Sequence, residues 1–147
     1  MAQPATPLSP TALATLTAVL DALIPPSDAR GLPGAGTLGL ATEVASSLAR
    51  APMLAPLVTD GLAALGDLSA LAEGARRTRV TTFLDGESGF VMGLLFHAYT
   101  AYYRHPLVLA ALGLEARPPH PRGYDVAPSD PTLLAPVRRR PPFYRFT

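Results

Sequence analysis

A chain of 147 residues without cysteine is about one domain's worth and excludes disulfides, thiolate metal sites and a thiol nucleophile. Its net charge of +1 is a feeble footprint for nucleic acid, although the balance is uneven. Residues 1–103 hold five Arg against eight Asp and Glu, residues 104–147 hold seven Arg against three, and there is no Lys. Proline divides the chain further: of 17, eight precede Leu57, nine lie from Pro106 onward and none falls between. Together these features predict an all-α fold. It has a flexible arm over residues 1–8, a bundle of five to six helices over 9–114, and a long extended Pro-rich strap over 115–147.

In chain order, Ser9-Pro10 has the chemistry of a helix start, a capping hydroxyl followed by a proline at the first helical position. Leu13, Leu16, Leu20 and Leu23 mark one face of that helix, and Pro25-Pro26 ends it. The stretch PPSDARGLPGAG is turn chemistry throughout, with Asp28 as a structural turn residue. A second helix is predicted from Thr37 or Leu38 to Arg50. A third has its body from Leu57 to Leu65, limited by Pro52 and Pro56. Gly66-Asp67 breaks it, and Leu68 to Leu84 reads as a weaker helix whose Arg76, Arg77 and Arg79 form a solvated face.

Ser88 to Pro106 is the most distinctive stretch, SGFVMGLLFHAYTAYYRHP, with no formal charge between Glu87 and Arg104. Its apolar residues cover nearly the whole helix surface, which predicts a central helix buried among the others. At about 1.5 Å per residue it is too short to cross a bilayer, which needs about 20 apolar residues. Tyr99, Tyr102 and Tyr103 require hydroxyl partners or a wet interface. His105-Pro106 then restarts a short helix to Leu112, with Gly113 as its terminating glycine. Beyond Glu115 prolines recur too often for a helix or a central strand. Tyr124, Val126, Leu133, Leu134, Val137, Phe143, Tyr144 and Phe146 nevertheless punctuate this tail, so it reads as a strap that docks on a surface.

Candidate chemistry is sparse. His97, His105 and His120 stand at no metal-ligand spacing, so no metal site is expected. His97 reads as a hydrogen-bonded core or interface residue and His105 as a helix-start residue. No serine sits in a nucleophile elbow. GLPGAGTLG, residues 31–39, lacks the preceding strand and the lysine of a phosphate loop. Catalytic and cofactor-binding residues are therefore expected to be none. Arg138, Arg139 and Arg140 with Phe143, Tyr144 and Arg145 have the composition of a base-stacking site, but three Arg are few, and anchoring to a protein partner is the preferred reading. The predicted partner interface is Tyr99, Tyr102, Tyr103, Arg104, His105, Tyr124, Arg138, Arg139, Arg140, Phe143, Tyr144 and Arg145, residue types that contact surfaces favour. An alternative is a free-standing binding protein with Tyr99, Tyr102 and His97 around a small-ligand pocket.

LDALIPPSD and LPGAG (residues 20–28 and 32–36), then YTAYYRHPLVLAALGL ending at Leu114, then RPPHPRGY ending at Tyr124, resemble the gluconate 2-dehydrogenase subunit 3 family. The resemblance covers most of Leu13 to Tyr124. It implies a helical, non-catalytic accessory subunit that assists the folding and stability of a flavin-bearing large subunit of the glucose–methanol–choline oxidoreductase class. FAD would belong to that partner and no cofactor to this chain. Members of the family often carry a twin-arginine signal. MAQPATPLSP has none and no secretory signal, so the expectation is a cytoplasmic complex without direct membrane insertion, acting in sugar or glycoside oxidation.

Overall fold

Ser9 opens the first helix as its residue type demands: its hydroxyl accepts the Ala12 N–H at 3.2 Å, and Pro10 occupies the first turn. The computed structural model describes residues 8–117, 122–123 and 125–141. These are all-α, with seven α-helices, and no strand is present among the described residues. The chain divides into two units, residues 1–117 and 118–147.

The first unit holds α1 (Pro10–Leu23), α2 (Ala41–Leu48), α3 (Ala55–Leu65), α4 (Glu73–Gly86), α5 (Ser88–Tyr102) and α6 (Pro106–Ala111). Both α1 and α5 pack against α2, α3 and α4, so these three helices bridge the longest buried faces. Leu16, Val19 and Leu20 of α1, Val44 and Leu48 of α2, and Val58, Leu62 and Leu65 of α3 form the core. Val80 of α4, Phe90, Leu94 and Ala98 of α5, and Val108 of α6 complete it. Each wholly buried aliphatic side chain contributes roughly 1.5–3 kcal/mol by leaving water. Gly61 lets α3 and α5 approach closely, because a Cβ there would overlap the Phe90 ring. Phe83 of α4 meets the same ring edge-on, with centroids 5.3 Å apart.

Helix boundaries shift where side chains compete for the backbone. The second helix begins at Ala41, not at Thr37 or Leu38. Asp21 accepts the N–H groups of Gly36 and Thr37 at 2.8 and 3.3 Å, which holds that stretch in a turn. The fourth begins at Glu73, not at Leu68. Asp67 takes the Ser69 N–H at 2.8 Å, and Leu68 turns into the core at 3% exposure. The Arg76, Arg77, Arg79 cluster is not simply a solvated face. Arg79 gives two hydrogen bonds to the Leu65 carbonyl, and Arg76 gives one to the Leu71 carbonyl. With Thr15 Oγ1 donating to the Gly66 carbonyl at 3.0 Å, Arg79 satisfies the end of α3 that the helix itself leaves open.

The second unit contains a 3-10 turn at Pro131–Leu134 and the single-turn α7 at Ala135–Arg138. Proline density does not exclude helix there. Asp130 caps the turn by accepting from Thr132 N at 2.9 Å, and Pro131 and Pro136 occupy first-turn positions, where no N–H is required.

Candidate functional site

The helix α5 carries Tyr99, Tyr102 and His97, and it departs from the expected all-round burial. Phe90, Gly93, Leu94, His97, Ala98, Ala101 and Tyr102 face the core. Met92 and Phe96 are each 70% exposed, Tyr99 44% and Tyr103 50%. At about 100° per residue these four fall within roughly 60° of one another around the axis, a single outward stripe. Among the described residues α2, α3 and α4 pack against α5, and these four side chains stay outside that packing. Sequence reasoning anticipated Tyr99 and Tyr103 as contact residues but missed Met92 and Phe96. The signal lay in the spacing 92, 96, 99, 103, which is one helical face.

Tyr102 belongs to the core, not to a contact surface. It is 2% exposed, and its hydroxyl donates to the Pro33 carbonyl at 2.8 Å. Burial, with Tyr103 beside it, raises its pKa above the ordinary value. That hydrogen bond ties the aromatic helix to the LPGAG turn, and the Asp21 bonds tie the same turn to α1. A Cβ on Gly36 would overlap the Asp21 carboxylate, so glycine is required for the approach. The turn closes further through Ala35 N–H to Ile24 carbonyl at 3.0 Å and Ser27 N–H to Leu32 carbonyl at 2.8 Å. Three segments far apart in sequence thus form one structural knot. Beside it lies an open groove lined by Pro26, Ser27, Asp28, Leu32, Pro33 and Leu107, the last 61% exposed.

His97 is 5% exposed, and its Nδ1 lies 2.8 Å from Ser47 Oγ. Its Nε2 is buried and finds no partner among the described residues. Burial, and secondarily the positive Arg50, lower its pKa, since a proton added at Nε2 would place a charge where nothing accepts it. His105 caps α6, its Nδ1 accepting the Leu107 N–H at 3.3 Å. Arg104 is exposed at the end of α5. Arg138, Arg139 and Arg140 are exposed in the second unit. Tyr124, Phe143, Tyr144 and Arg145 lie outside the described residues, as does His120.

The polar ends of Tyr99, Tyr102 and His97 do not converge: one is exposed, one is given to Pro33 and one to Ser47. A cavity of about 220 Å³ elsewhere lies between α2 and α3 and is lined by Leu8, Leu13, Ala45, Leu48, Ala49 and Val58, among others. Among the described residues no group of three His, Asp or Glu is placed to hold a metal ion, and no helix is long and apolar enough to cross a membrane. No protein family, curated protein or solved structure matches the chain.

Proposed function

We propose that this chain is a non-catalytic accessory subunit of a FAD-dependent sugar or glycoside oxidoreductase, assisting the folding and stability of a flavin-bearing large subunit of the glucose–methanol–choline class. The observation that carries the reading is the Tyr102 hydroxyl on the Pro33 carbonyl. It joins LPGAG to the aromatic helix, two of the segments on which the family resemblance rests. The first of those segments, LDALIPPSD, is bound to the same turn through Asp21. The motif residues therefore serve a shape, a rigid knot beside the groove of Pro26, Pro33 and Leu107, and not a reaction.

Leu107 supplies an apolar anchor held by α6, and a rigid surface of this kind binds without the cost of ordering a loop. The flavin and the redox chemistry reside in the large subunit.

Co-expression with a candidate large subunit tests the assignment. A yellow complex containing both chains is expected, with the small chain alone colourless and inactive. Leu107→Asp is expected to lower recovery of the complex while leaving the helical circular dichroism of the small chain unchanged. Failure of the two chains to co-purify, or flavin bound to the small chain alone, would overturn it.

A further inference from the structure

The stripe on α5 is separate from the groove, and it has a property of its own. Met92, Phe96, Tyr99 and Tyr103 are spaced four, three and four residues apart, an order that is the same read in either direction. Such a ridge matches itself when two copies lie antiparallel: Met92 stands opposite Tyr103 of the second copy, and Phe96 opposite its Tyr99. We infer that the stripe is a two-fold interface between two copies of this chain, formed by antiparallel packing of α5 on α5.

Charge supports the antiparallel sense. No charged residue lies between Glu87 and Arg104, so the facing surfaces carry no like charges to repel. Both of those residues are exposed, one at each end of the helix. Antiparallel packing opposes the dipoles of the two helices, whereas parallel packing would juxtapose like ends. The residue types are those enriched at interface centres, Met and aromatics without Lys, Glu or Asp. Tyr99 and Tyr103 stand side by side on one face, with ring centroids 6.1 Å apart and planes tilted by 41°.

The area sets the strength. Four side chains of this size at these exposures offer on the order of 400–500 Å², the range of the largest functional patches on monomers. A standard interface takes about 800 Å² per partner. Leu57, 48% exposed, extends the apolar surface, its Cβ 3.9 Å from where a Cβ on Gly93 would stand. The sum describes a reversible dimer, not an obligate one. It closes by rotation, as a two-fold interface does.

The lack of cysteine makes the test clean, because any disulfide formed is an introduced one. Sedimentation of the full chain over a dilution series is expected to show a species of twice 15.4 kDa that dissociates on dilution. Phe96→Glu is expected to leave only the monomer, with unchanged circular dichroism and, at dilutions where the parent is also monomeric, an unchanged thermal midpoint. Met92→Cys and Tyr103→Cys chains, mixed and oxidised, are expected to cross-link to each other. Neither is expected to cross-link alone, because equivalent residues would stand about 16 Å apart along the antiparallel axes. A chain that stays monomeric at every concentration overturns the inference. So does cross-linking of Met92→Cys to itself, which marks parallel packing. A chain that dimerises only after removal of residues 142–147 also overturns it, since its own tail would then be the occupant. Loss of the dimer says nothing of the large-subunit assignment, whose test reads the groove at Leu107.

Discussion

The two faces of α5 are built from the same classes of residue and have opposite fates. Phe90, Leu94 and Tyr102 lie at 3%, 0% and 2% exposure, while Phe96, Met92 and Tyr103 lie at 70%, 70% and 50%. Tyr102 and Tyr103 are neighbours in sequence with rings meeting edge-on at 5.2 Å, yet among the described residues the Tyr102 hydroxyl alone of the two has a protein partner. Burial is therefore not a property of the side chain alone. It depends on whether another element arrives to cover it, and among the described residues one side of α5 is covered and the other is not. The inferred two-fold interface rests on that uncovered apolar face.

Substitutions on the two faces should separate stability from association. Leu94→Ala, at a site with no exposure, is expected to cost about 2–5 kcal/mol in urea unfolding, transfer and cavity terms together. Gly61→Ala is expected to cost about 1–3 kcal/mol despite its better helix propensity, because the new methyl group overlaps the Phe90 ring. A neutral result there would mean that α3 and α5 do not approach so closely.

Tyr102→Phe leaves the Pro33 carbonyl without its donor and is expected to cost about 1–2 kcal/mol, whereas Tyr103→Phe on the open face should fall within about 0.5 kcal/mol of the parent. Equal effects from the two tyrosines would erase the contrast between the faces.

His97 gives a smaller, pH-dependent effect. Its folded pKa lies below the ordinary 6.5, so the unfolded chain binds the proton more readily. Its contribution is fully present above about pH 6.5 and declines as pH falls from there toward the depressed folded value, by at most about 1.4 kcal/mol per pH unit. His97→Gln is expected to flatten the dependence of the urea midpoint over that window. A parent protein with no such slope would show that Nε2 is solvated. Least of all, Phe96→Ser should change the unfolding free energy by no more than about 0.5 kcal/mol.

Much of the fold was legible because local chemistry and tertiary structure agree. Ser9-Pro10 caps a helix by hydrogen bonding alone, and Pro25-Pro26 stops one by removing donors, so neither depends on distant residues. Local reading failed in two ways: a side chain from another element, Asp21 of α1, delays α2, and a competing local turn, Asp67 on Ser69 N–H, delays α4. The candidate site was half legible. Tyr99 and Tyr103 were identifiable as amphipathic groups needing a wet or contacting surface. Tyr102 was not separable from them, since only the placement of Pro33, far away in the chain, gives its hydroxyl a home.

Composition and periodicity were sufficient to determine that this chain is helical, where most helices begin and end, and that its chemistry is not that of a cysteine nucleophile or a thiolate metal site. Those outcomes depend on short-range sterics and on which atoms are present. Tertiary structure alone decided which side of α5 is covered, which tyrosine is interior and how the glycine turn is locked to two helices. These depend on which helices pack against α5, and no local pattern encodes that.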